Sequence, residues 1–135
     1  MSGPARLYLA VALGGMLGSL ARSLVSLGFV QLLGPAFPWG TLAVNVAGSL
    51  LIGLYATLTE PGGRVFTTPA RRQFVLAGFC GGFTTFSIFS LETVLLVERG
   101  TPDLAALYLG ASLALWLPAV WIGHRLARRL NRLKG

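Results

Sequence analysis

Four long apolar runs, with scarcely a charge inside them, make up most of this chain, and nothing else in it limits the possible folds so tightly. They cover roughly residues 5–32, 39–59, 73–98 and 104–123. About 20 mainly apolar residues suffice for a helix to cross the hydrocarbon core of a bilayer. Lipid offers no partner to backbone N–H and C=O groups, so a lone crossing segment must be helical. The expectation is an all-α membrane protein of four transmembrane helices in one domain, 1–135, with no separate soluble part. Composition agrees: 54% of the residues are hydrophobic and 11% charged, against about 25% charged in an average soluble domain. The opening "MSGPARLYLAVALGG" resembles the start of a signal peptide, but its apolar character runs well past residue 20, so a retained first helix is expected.

The net charge of +7 would suggest nucleic acid in a soluble protein. Here the arginines lie between or beyond the apolar runs, where they face anionic headgroups and set orientation; a lipid bilayer is the expected partner and nucleic acid is not. Cys80 is the single cysteine, which excludes an internal disulfide and any cysteine-based metal cluster. His124, the only histidine, falls at a span end, and no nucleophile–base pair or metal constellation is visible, so an enzyme is not expected.

Polar groups inside the spans carry more information, because hydrocarbon makes them costly. Thr41, Asn45 and Ser49 recur every fourth residue in the second span and share one helix face. Tyr108 and Ser112 do the same in the fourth, and Thr84, Thr85 and Ser87 add hydroxyls to the third. All can donate hydrogen bonds. A lone serine or threonine of this kind is commonly helix–helix glue; Asn45 with two matched partners points to a solute path. The first span holds Arg22 and no carboxylate, and Glu92 is placed toward the end of the third span rather than at its centre. Donors with an arginine near one mouth suit an anion better than a cation. Gly14 and Gly18, Gly78 and Gly82, and Ser49 and Gly53 each repeat at four residues, a spacing that lets membrane helices approach closely.

The stretch "GFCGGFTTFSIF" (78–89) is the least regular part of any span: two glycines and two threonines at mid-membrane, with Phe83, Phe86 and Phe89 around them. A phenyl ring is positive at its edge, so two ring edges can hold a small anion without a formal charge, although a Phe stripe read from spacing alone is ordinary packing. Here the sequence resembles a known family. "GTLAVNVAGSLLIG" (40–53) and "GFCGGFTTFSIF" are similar to the two signature stretches of the Fluc/CrcB fluoride channels, and "GGMLGSLAR" (14–22) is similar to that family's first-helix motif.

The resemblance implies a four-helix subunit whose third helix is broken at mid-membrane, paired antiparallel with dual topology into a dimer with two narrow pores. It implies a passive, fluoride-selective channel of the cell inner (plasma) membrane that exports cytoplasmic fluoride. It assigns Phe86 and Phe89 as pore rings, Asn45 as the pore amide, and Thr41, Tyr108, Ser112, Thr85 and Ser87 as polar positions along or beside the path. Arg22 falls in the vestibule. The backbone carbonyls of Gly81 and Thr84 fall at a structural Na+ on the dimer axis. On this reading the glycine pair ends one half-helix and frees its carbonyls.

Two other functions fit four spans. A small multidrug-type exporter needs a membrane-embedded glutamate in the first span, where this chain has Arg22; a non-transporting helper subunit predicts no flux from the purified chain. Orientation raises a tension of its own. Arg6, Arg64, Arg71, Arg72, Arg125, Arg128, Arg129, Arg132 and Lys134 fall on the side shared by both termini and the 60–72 loop, against Arg99 and Arg22 elsewhere. That bias favours one insertion direction, whereas an antiparallel homodimer needs both. A dual-topology homodimer is the expectation; insertion of the basic tail too late to count fully, and a heterodimer with an oppositely biased sister subunit, are the other resolutions.

Overall fold

The structure, a computed structural model, describes residues 3–133; Lys134, counted above with the basic side, lies outside them. The order is α1 (Gly3–Leu33), α2 (Trp39–Leu58), an interrupted third span, and α5 (Pro102–Arg132). The third span comprises α3, residues 69–83, and α4 (Phe86–Glu98). Within α3 the pieces Pro69–Gln73, Phe74–Cys80 and Gly81–Phe83 follow without a gap, and the middle one is wound with the wider π-helical turn, a form concentrated at functional sites. Among the described residues, four helical segments are long and apolar enough to cross a membrane, so the all-helical, four-span expectation holds. Beyond the apolar run that ends near residue 123, α5 continues as helix through the basic stretch to Arg132.

Local chemistry accounts for the turns. Gly34 and Gly100, each at φ +77°, stand in the left-handed conformation just past α1 and α4, and their N–H groups close onto the carbonyls of Val30 and Val97. Pro69 and Pro102 open α3 and α5, where a missing N–H costs nothing.

The small residues sit where helices cross. A Cβ on Gly14 would strike the carbonyl of Phe74 and come within 2.9 Å of Gly78 Cα; one on Gly82 would strike the carbonyl of Gly15. Gly53 and Gly123 do the same for α2 against α5, meeting the carbonyls of Val120 and Leu50. The bundle is thus two tight pairs, α1 on α3 and α2 on α5, and α4 leans on α5. At one end Arg64 N–H donates to Asn131 Oδ1 at 2.8 Å and Asn131 Nδ2 donates to the Thr57 carbonyl at 2.9 Å, tying the 60–68 loop to the end of α5. His124, expected at an interface, has Nδ1 2.8 Å from Thr57 Oγ1. The 34–38 and 99–101 turns lie at the other end, around a common cavity.

Candidate functional site

The interruption in the third span falls at Thr84 (φ −84°, ψ 156°) and Thr85 (φ −153°, ψ 123°), both extended. This corrects the expectation that the glycine pair ends the half-helix: Gly81 is helical (φ −63°, ψ −37°) and the chain stays helical to Phe83. The reason is a division of labour. Gly82 is glycine because α1 presses against it, while threonine, β-branched, is the residue that takes extended backbone readily.

Breaking the ladder frees backbone groups, and neighbouring helices take them up. Asn45, 5% exposed on α2, pairs with Thr85 in both directions: Thr85 N–H donates to Oδ1 at 2.8 Å, and Nδ2 donates to the Thr85 carbonyl at 3.0 Å. Ile88 N–H donates to Thr85 Oγ1 at 3.2 Å, so Thr85 caps α4. On the α1 side, Arg22 Nε donates to the Gly82 carbonyl at 3.1 Å, and Ser19 Oγ reaches the same oxygen at 3.5 Å. Arg22 is therefore joined directly to the end of α3. The Gly81 and Thr84 carbonyls lose their helical partners, because the amides four residues on, Thr85 and Ile88, donate to side chains instead.

Two polar ladders face the start of α4. On α2 stand Thr41, Asn45 and Ser49; on α5 stand Tyr108, Ser112 and, one turn further, Trp116. Phe89, 3% exposed, packs on the α5 ladder, with ring centroids 5.0 Å from Tyr108 and 4.8 Å, edge-on, from Trp116. Phe86 lies 5.6 Å from Phe89 but is 71% exposed, and Ser87, also exposed, bonds only Thr85 Oγ1, at 3.2 Å. The structure thus brings Thr41, Asn45, Tyr108, Ser112, Thr85 and both rings to one region, with Ser87 at its edge and Arg22 behind the break.

Glu92 changes the picture of a path made only of donors. Thr41 Oγ1 donates to its Oε1 at 2.9 Å and Tyr108 OH to its Oε2 at 2.7 Å. The carboxylate holds both outer hydroxyls. Counting residues back from the span end had placed Glu92 off the path; the visible signal was spacing, since Phe86, Phe89 and Glu92 follow each other at three residues and so share a helix side. Trp116 was missed because an indole in an apolar run reads as packing.

A cavity of about 190 Å³ opens at the turn end against Thr41, Glu92, Ser26 and Arg99. A second, about 210 Å³, lies at the break against Asn45, Ser49, Thr85, Phe86 and Trp116. Chemically the region gathers N–H, O–H and ring-edge donors, with one carboxylate at the end near the 34–38 turn.

A multi-pass membrane protein with an interrupted helix set among buried polar side chains is the class that these features define. The family model described as CrcB-like protein, Camphor Resistance (CrcB), matches residues 9–124. The chain is 53% identical over 131 residues to "Fluoride-specific ion channel FluC 1" of Rhodopseudomonas palustris, covering 97% of this chain and 93% of that protein. It is 52% identical over 129 residues to "Fluoride-specific ion channel FluC" of Opitutus terrae, covering 96% and 98%. The chain belongs to the CrcB family.

Proposed function

We propose that this chain forms a fluoride-selective passive channel of the bacterial inner membrane, which lets cytoplasmic fluoride out and so protects the cell from it. The observation that carries the reading is that both polar ladders meet the interrupted span, Asn45 at Thr85 and Thr41 with Tyr108 at Glu92. Relatives of nearly the same length are named fluoride-specific ion channels, which supports it.

Fluoride is small and strongly hydrated, so it enters only where donors replace water at close range. Asn45 Nδ2 has two N–H groups and spends one on the Thr85 carbonyl; the second is available to an ion in the cavity at the break. The Ser112 hydroxyl is fully buried, and the positive edges of Phe86 and Phe89 offer further contacts without formal charge. At the outer end an arriving ion competes with Glu92 for the single hydroxyl protons of Thr41 and Tyr108. Chloride is larger and does not fit donors so closely set. The driving force is electrical: an inside-negative potential of 100 mV favours outward movement of a monovalent anion by about 2.3 kcal/mol, enough to hold internal fluoride well below the level that entry of HF would leave.

The working unit is an antiparallel dimer of two copies. In one chain the break region is open on its side: Phe86, Ser87 and Gly81 are exposed, and polar backbone and hydroxyls there cannot face lipid. A second copy covers them. Gly81 has open space around it, and its carbonyl and that of Thr84 lack helical partners. Two chains related by a twofold axis would offer four such oxygens, a donor set that fits Na+. That ion would be structural and would lock the two breaks together.

Purified protein in liposomes, followed with a fluoride electrode, tests the reading. Fluoride should leave down its gradient with neither ATP nor a proton gradient, and chloride should be retained. Equal movement of the two anions, or no movement of either, overturns it.

A further inference from the structure

Two buried side-chain atoms among the described residues have no hydrogen-bond partner, Ser112 Oγ and Trp116 Nε1. They stand four residues apart on one face of α5, and the Trp116 ring meets Phe89 edge-on at 4.8 Å. Neither takes an easier option. Ser23, Ser90 and Thr93 each bond the carbonyl one turn back, at 2.8–2.9 Å; Ser112 does not. An indole N–H is a donor only, and burying it unpaired is costly, a cost that phenylalanine in the same place would avoid. Trp116 also lines the cavity at the break opposite Asn45 and Phe86.

We propose that the Trp116 Nε1–H is a direct ligand of the ion in transit. It rests on the fluoride-channel reading and adds a third rung to the α5 ladder. An ion passing the Phe89 edge moves from the Ser112 hydroxyl to the Trp116 N–H, with the free N–H of Asn45 across the cavity. The two unpaired donors are then paired whenever an ion is present. The indole also gives the route an N–H where a hydroxyl would be shorter, which keeps the passage narrow beside Phe89.

The test has two arms. Trp116→Phe keeps the ring against Phe89 and removes the N–H; fluoride efflux from liposomes should slow about tenfold or more, the worth of one hydrogen bond to a charged partner. In the Trp39→Phe/Trp121→Phe double variant, Trp116 is the only indole, and its emission should shift to the red with saturable dependence on fluoride and not on chloride. Should Trp116→Phe fail to fold, the emission arm decides alone. Wild-type flux in Trp116→Phe, or emission indifferent to fluoride, overturns the proposal. Absence of flux in the wild-type protein would instead overturn the channel reading, so the two failures are distinguishable.

Discussion

Asn45 holds the break open, and removing its amide should be measurable as stability as well as flux. Its side chain makes two hydrogen bonds to Thr85, at 2.8 and 3.0 Å, at a site 5% exposed. Interhelical hydrogen bonds in membrane proteins are worth about 0.6 kcal/mol on average and about 1.7 at most, because the unfolded chain in lipid also finds partners. Two bonds therefore predict a loss of about 1–3 kcal/mol for Asn45→Ala. Asn45→Asp separates the roles. The carboxylate still accepts from Thr85 N–H but faces the Thr85 carbonyl with another acceptor, and it has no N–H for an anion. It should lose at least as much stability as Asn45→Ala, because a buried carboxylate faces a second acceptor, and it should carry no fluoride, since its charge repels the ion. The assays are denaturant or thermal unfolding in detergent micelles and electrode-monitored efflux. Asn45→Ala as stable as the wild type would refute the stapling argument, and normal flux through Asn45→Asp would take this residue out of the route.

Four further outcomes are expected. Phe86→Ile and Phe89→Ile keep bulk and lose the positive ring edge, so efflux should fall while the protein elutes as the wild type does on size exclusion; normal conduction in both would make these rings mere packing. Gly53→Ala drives a methyl onto the Val120 carbonyl and should unfold or loosen the α2–α5 pair, whereas Gly28→Ala, with open space around it, should be neutral or slightly stabilising; equal melting temperatures for the two would contradict the crossing geometry. Na+ should raise the melting temperature more than Li+ or K+ if the carbonyls of Gly81 and Thr84 cage it, and indifference to the cation would remove the proposed site. A cysteine at position 135, in a Cys80→Ala background, should be labelled from both sides of intact cells expressing this chain alone; strictly cytoplasmic labelling would exclude the antiparallel homodimer there.

The outline of the fold was legible because apolar length and four-residue spacing are direct physical signals. Gly14, Gly18, Gly78, Gly82 and Gly53 were expected at close crossings, and their missing side chains are replaced there by the partner helix's backbone. The end of the fourth helix was less legible than the end of its apolar run. Hydropathy falls at His124, so the bilayer signal stops, but helix propensity does not: "RLARRLNR" is rich in residues that favour helix, and Asn131 is held by Thr57 and Arg64. Leaving the apolar layer and leaving the helix are separate events.

At the site, spacing along one helix was a better guide than depth along the chain. Thr41, Asn45 and Ser49, and Tyr108 and Ser112, were recognised by a four-residue repeat, and the structure sets them on the helices that enclose Phe89. Glu92 and Trp116 continue such rows but were read as a span end and as packing: Glu92 stands out once hydroxyls from α2 and α5 reach it, and Trp116 once its N–H is seen to lack a partner. The position of the break shows the same limit. Glycine is the weakest helix former in the stretch, so propensity alone puts the break at Gly81–Gly82. Helix α1 overrides it, for the backbone there must stay helical to bring Gly82 against Gly15. The chain opens instead at the first point where another partner is ready for its freed amide and carbonyl, and that partner is Asn45.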